Sequence, residues 1–148
     1  MSGIIVGVDG SGHSQQALEW AMHEAATRQA ALTVLTVDPV ALSAWTGAPI
    51  RSEADEPARE HAEQAAKQAA DEAAGHLTGE ARPMSVTVRA VNGNPAEELI
   101  SASRGADLVV VGSRGAGGFS RLMMGSVSSQ VAHHAHCPVA IIPPKQRS

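Results

Sequence analysis

The chain has 148 residues, a formal net charge of −4 and a single cysteine, the size of one domain able to bury a core of its own. The acidic balance argues against a general nucleic-acid binder, and one Phe, two Trp and no Tyr leave little to stack on unpaired bases. Cys137 alone excludes an intrachain disulfide framework and fits a reducing compartment, and no apolar stretch approaches the length of a membrane span, so a cytoplasmic protein with no membrane or nucleic-acid partner is expected.

Taken in order, Ile4 to Val8 reads as a buried strand entering the turn Asp9-Gly10-Ser11-Gly12. Apolar residues at 17, 18, 21, 22 and 25 predict a helix from about Ser14 to Arg28. Leu32 to Val37 is a second strand. Residues 40 to 57, with Trp45, Gly47, Pro49 and Pro57, lack a clean period and read as a long loop, functional or mobile. From about Ala58 to Leu77 an alanine stripe through Ala62, Ala65, Ala66, Ala69, Ala70 and Ala73 predicts an amphipathic surface helix. Ser85 to Val91 alternates as a third strand, with Val86, Val88 and Ala90 on one face. Asn94, Pro95 and Glu97 supply a cap, a first-turn proline and a capping-box acid for a short helix ending near Arg104. Asp107 to Gly112 is the fourth strand. A helix over about Val127 to Ala135 and a fifth strand through Val139-Ala140-Ile141-Ile142 complete the set. Alternating strands and helices predict a single α/β domain, a doubly wound, Rossmann-like, five-stranded parallel sheet with helices on both faces. A core made of Val, Ile, Leu, Met and much Ala suits such a sheet.

Gly112 to Ser128 carries the chemistry. Glycines stand at 112, 115, 117, 118 and 125, Arg114 and Arg121 lie among them, and no acidic residue interrupts the run. A glycine-rich basic loop between a strand and a helix start is a phosphate cradle, because the backbone approaches closely and the helix dipole favours negative charge. In a doubly wound sheet ligands bind beyond the carboxyl ends of the strands, where the strand order reverses. If the first and fourth strands are neighbours, Asp9 and this loop flank one crevice. Asp9 could also cap the first helix.

The spacing Gly112-x2-Gly115-x9-Gly125-Ser126 resembles the glycine signature of the ATP-binding subgroup of universal stress proteins. Val8-Asp9-Gly10-Ser11, Gly93-Asn94-Pro95 and Cys137-Pro138-Val139 extend the resemblance over nearly the whole chain. It implies ATP or a related adenine nucleotide at the switch point, with or without Mg2+, and a homodimer joined along the last strand. Carried over residue by residue, Asp9 would meet the adenosine ribose or its surroundings and Val37 the adenine. Gly112, Arg114 and Gly115 would line ribose and phosphates. Gly125, Ser126, Val127 and Ser128 would offer N–H groups and hydroxyls to the phosphates. Ala116 to Met124 lies between the two parts of the signature and reads as a mobile flap.

Other readings fit less well. No Gly is followed by Lys, so there is no Walker A loop, and Gln15 stands where a dinucleotide fingerprint needs its third glycine. His133, His134, His136 and Cys137 are adjacent, but only His133 and His136 share a helix face, so no metal site is expected. Hydrolysis needs a metal ligand and a group that positions water, and Asp9 is the one acid placed at the crevice. A nucleotide-dependent stress sensor or switch, acting on an unknown protein partner, is therefore expected rather than an enzyme. A cyclic AMP buffer and an ATP-dependent enzyme with an unidentified acceptor are the alternatives. The apolar run Val139–Ile142, if it forms a sheet edge, needs a partner strand, and a two-fold copy of itself would close it.

Overall fold

The computed structural model describes residues 3–39, 55–113 and 125–144. Its elements are β1 (Ile4–Val8), α1 (Gly12–Arg28), β2 (Ala31–Pro39), α2 (Asp55–Gly75), β3 (Ser85–Gly93), α3 (Pro95–Ser103), β4 (Leu108–Gly112), α4 (Ser126–His134) and β5 (Val139–Ile142). Every strand pairing is parallel, in the order β3-β2-β1-β4-β5. The expected adjacency of the first and fourth strands is therefore present, with Ile4 opposite Leu108 and Val6 opposite Val110.

Side chains alternate across each strand, and the sheet divides the core in two. Ile4, Val6, Leu32, Val34, Leu108 and Val110 face α1 and α2; Leu35, Val109 and Val111 face α3 and α4. The inner strand β4 is buried along Leu108–Val111, as a run apolar on both faces requires. Gly7 lets α3 lie close on β1: a Cβ there would come within 2.9 Å of Leu99 Cδ1. At the other extreme, β3 is an edge strand, and Val86 is 42% exposed although the alternation placed it on an apolar face.

Helix boundaries follow their caps. The side chain of Ser11 accepts the N–H of Ser14, so α1 begins at Gly12, two residues before the periodicity suggested. Asp9 is not that cap: its Oδ1 instead accepts the N–H of Ser11 at 2.9 Å, because a carboxylate two residues upstream reaches the turn and not the first helical turn. Asp55 to Pro57, read as loop, belong to α2. Proline is tolerated there because first-turn N–H groups have no helical acceptor. In α3, Asn94 caps as expected, its Oδ1 accepting the N–H of Glu97 at 3.0 Å with Pro95 at the first position. Replacing Asn94 with Ala is expected to lower the unfolding free energy by about 1 kcal/mol, read from the urea midpoint at unchanged slope.

Part of the apolar stripe of α2 stays open. Ala66, Ala70 and Ala73 are buried against α1 and the sheet, while Ala62 and Ala65 are not. Gln15 Nε2 donates to the Ala69 carbonyl at 3.3 Å, and His76 Nδ1 meets Glu19 Oε1, so α1 and α2 are tied at two heights.

Candidate functional site

The carboxyl ends of β1 and β4 point the same way, and the chain winds outward from them in opposite directions. This is the topological switch point, where neither neighbouring crossover helix covers the crevice. After β1 the chain turns through Asp9 and Gly10, the latter at φ +84°, a left-handed conformation that favours glycine. After β4 come Gly112 and Ser113, and the chain returns to the same point at Gly125.

Hydrogen bonds hold these two returns together. The Ser113 carbonyl accepts the Gly125 N–H at 2.7 Å and the Ser128 hydroxyl at 3.1 Å, and the same hydroxyl reaches the Gly125 carbonyl at 3.0 Å. Ser113 N–H in turn donates to the Ile142 carbonyl at 2.9 Å. The start of α4 is thus fastened to the end of β4. Ser128 is only 3% exposed. Its hydroxyl hydrogen is committed to these carbonyls, leaving the backbone N–H, which has no acceptor among the described residues, as its donor toward a ligand.

The N-terminus of α4 differs from those of α1 and α3 in its polar groups. Gly125 is the N-cap, extended at φ −64° and ψ 158°, and offers no side-chain hydrogen bond. The first helical bond runs from Ser129 N–H to the Gly125 carbonyl at 3.0 Å. Among the described residues, the N–H groups of Ser126, Val127 and Ser128 therefore have no acceptor, and no acidic side chain lies in the first turn. Three such groups at the positive end of a helix dipole suit an anion.

Beside this point lies a cleft of about 440 Å³ between α1 and α2, reached from the end of β1. Asp9 and Ser11 stand at its inner rim, Thr36 and Val8 on its floor, and His61 and Ala65 on its α2 wall. Val37 does not line it. Successive strand residues face opposite sides, and Val37 packs with the α3–α4 core while Thr36 faces the cleft. Thr36 and His61 were not singled out from sequence. The alternation Leu32, Val34, Thr36 is the signal for the first, since a hydroxyl ends an otherwise apolar face; nothing in the sequence brings His61 of α2 to the strand ends.

The structure thus brings together Asp9, Gly112, Gly125, Ser126, Val127 and Ser128 around the switch point, with Val37 at the end of β2 on the α3–α4 face. Arg114 and Gly115, the flap expected over 116–124, and Trp45 with residues 40–54 of the long loop lie outside the described residues. His13, in the first turn of α1, is not among the residues lining the cleft. At the other end of α4, His133 Nδ1 lies 2.7 Å from the Ser129 carbonyl, and His136 N–H donates to Ser103 Oγ at 2.9 Å. Among the described residues no group of three His, Cys, Asp or Glu side chains gathers as a metal would require. Cys137 is half-buried, and burial pushes its thiol pKa up against a smaller opposing effect from the Val109 backbone. It is a packing residue with little thiolate character. Among the described residues no helix is long and apolar enough to cross a membrane.

Comparison with known proteins gives the same architecture a family. A model of the universal stress protein family matches residues 1–143. A universal stress protein of Mycolicibacterium smegmatis is 36% identical over 140 residues, covering 95% of this chain and 47% of that protein. The chain accordingly spans about half the length of the curated relatives it matches. Among solved structures, the universal stress protein UspA from Lactobacillus plantarum has a TM-score of 0.75 at 26% identity, with 95% of this chain and 97% of that one covered. A universal stress protein in complex with cAMP has a TM-score of 0.66 at 25% identity, with 96% of each chain covered. With its parallel five-stranded sheet and a family match over nearly its full length, the chain belongs to the universal stress protein family.

Proposed function

We propose that this chain is a cytoplasmic, nucleotide-dependent switch that binds ATP, with or without Mg2+, at the β1–β4 switch point. The carrying observation is the uncapped start of α4, fastened to the end of β4, where the N–H groups of Ser126, Val127 and Ser128 have no acceptor among the described residues. In this reading they take the phosphates with Gly125. Gly112, Arg114 and Gly115 line the ribose and phosphates, Asp9 takes the nucleoside side, and Val37 lies nearest the base. The glycine spacing supports the roles of Arg114 and Gly115, and the likeness to a family member solved with a bound adenine nucleotide supports the ligand class.

The same geometry favours occupancy over turnover. Hydrolysis calls for a metal ligand or a base beside the γ-phosphate, and the first turn of α4 carries no carboxylate. A homodimer through Val139–Ile142 would couple occupancy to a partner surface, because β5 ends the sheet.

Mass spectrometry of nucleotide released from the purified protein is expected to find ATP or ADP. Protein that carries no nucleotide and gains no thermal stability from millimolar ATP would overturn the reading. Phosphate release at about one per second or faster, an ordinary enzymatic rate, would instead make it an enzyme. Cyclic AMP is a second reading, favoured by the relative solved with that ligand; recovering cyclic AMP alone would select it.

A further inference from the structure

Among the described residues, the large apolar side chains left exposed are Trp20, Met84 and Val86, and the last two sit together at the start of β3, 57% and 42% exposed. β3 ends the sheet on the side away from β5, with β2 as its neighbour. Every second residue of an edge strand turns its N–H and C=O to the open side. Such edges are ordinarily guarded by shortness, proline, a bulge or several charges. β3 is nine residues long, runs beside β2 residue for residue without a bulge, contains no Pro and no Lys, and carries one charge, Arg89.

The two faces of the strand differ. Val88 packs with the α1–α2 core and Val91 with the α3–α4 core, so the period of two puts Val86 on the first side and Thr87 and Arg89 on the second. Thr87 and Arg89 are exposed, and Arg89 makes no ion pair or hydrogen bond among the described residues. The charge in this stretch has one sign: residues 81–96 hold Arg82 and Arg89 and no Asp or Glu, in a chain of net charge −4. A carboxylate does meet the strand at Gly93, where an added Cβ would lie 2.9 Å from Glu98 Oε1, so the open positive position is Arg89. A second copy of this chain is a poor complement. Residues 137–148, which include β5, also lack an acid, and β3 paired with its own copy would bring arginines together.

We propose that the free edge of β3 takes up an extended segment of a partner protein as a sixth strand, apolar on the face beside Val86 and acidic on the face beside Arg89. The partner is a segment that alternates apolar residues with Asp or Glu. Backbone hydrogen bonds supply affinity, and the alternation supplies choice and register. This surface lies at the opposite edge from β5 and does not rest on the nucleotide reading; it gives the partner of a switch a chemical class.

The test uses the full chain and, as probe, a fluorescein-labelled peptide of about eight residues that alternates Val and Glu, followed by fluorescence anisotropy. Saturable binding is expected below about 1 mM, weakening as salt rises. Of two probes N-methylated at odd or at even residues, one should keep its affinity and the other lose it, because an added strand turns one row of N–H groups to β3 and the other to solvent. With Lys in place of Glu the probe should bind about tenfold more weakly. Arg89→Glu should lower the affinity for the Val-Glu probe about fivefold to thirtyfold and raise that for the Val-Lys probe. Val86→Lys should weaken the Val-Glu probe, and since both side chains are exposed, urea midpoints should hold in both variants. Binding that survives both methylation patterns, binding indifferent to Arg89→Glu, or no binding at about 1 mM overturns the added strand. Should a variant fail to fold, the methylated and lysine probes on the unaltered protein still decide.

Discussion

Ser126→Pro is expected to lower ATP affinity about tenfold to a hundredfold, the effect of losing one charge-assisted hydrogen bond to phosphate. The fold should be untouched, for reasons local to the start of α4. Ser126 is the first helical residue, and its N–H has no acceptor among the described residues, so proline removes nothing the helix uses. Proline also requires an extended residue before it, and Gly125 already has φ −64° and ψ 158°. Thermal unfolding without ligand should match the unaltered protein. Ser126→Ala, which keeps the N–H and loses only the hydroxyl, should bind within a few-fold of it. Titration calorimetry of the three proteins separates backbone from side chain, and full ATP affinity in the proline variant would remove α4 as the phosphate site.

The second large effect concerns the outer edge. Replacing Ile141 with Asp is expected to convert a dimer into monomer, or into poorly soluble protein at high concentration. All four residues of β5 are only half-buried, because one side of the strand pairs with β4 and the other is the end of the sheet. The Pro138 and Ile142 carbonyls bond toward β4, at 3.0 Å from Val109 N and 2.9 Å from Ser113 N. With the strand's period of two, the backbone groups of Val139 and Ile141 face outward. An apolar strand with an open row of such groups pairs with another strand or aggregates. A carboxylate on Ile141 opposes that pairing by desolvation and, across a two-fold axis, by repulsion from its own copy. Sedimentation velocity at several concentrations is the measurement. An unchanged dimer means that copies meet elsewhere.

Period and caps made most of this structure legible before any coordinates. The strands carry apolar runs or clean alternation, and the N-terminus of α3 was readable to the residue because Asn94, Pro95 and Glu97 act locally. What sequence could not supply was whatever depends on neighbours in space. Val86 alternates correctly and is still exposed, since nothing in β3 itself says that it is an edge. The start of α2 was hidden because Pro57 resembles a break until it is known to lie in a first turn. In the site, Gly112 at the end of a strand and Gly125 before a helix were readable as the two returns of one loop. The bond from Ser128 to Ser113 was not, since it spans 15 residues. At the end of β2, one residue of register decides which side of the sheet a side chain serves. There, sequence pointed to Val37, and the cleft contains Thr36.

The fastening of α4 to β4 also places Ser113 between two surfaces. Its carbonyl holds the helix start, and its N–H holds the Ile142 carbonyl at the end of the edge strand. One peptide-length residue is therefore shared by the turn at the start of α4 and the outer strand of the sheet. Binding at one and pairing at the other become linked equilibria as soon as either favours a different setting of Ser113. Linkage is reciprocal: whatever factor a nucleotide applies to the association of two copies, association applies to the retention of the nucleotide.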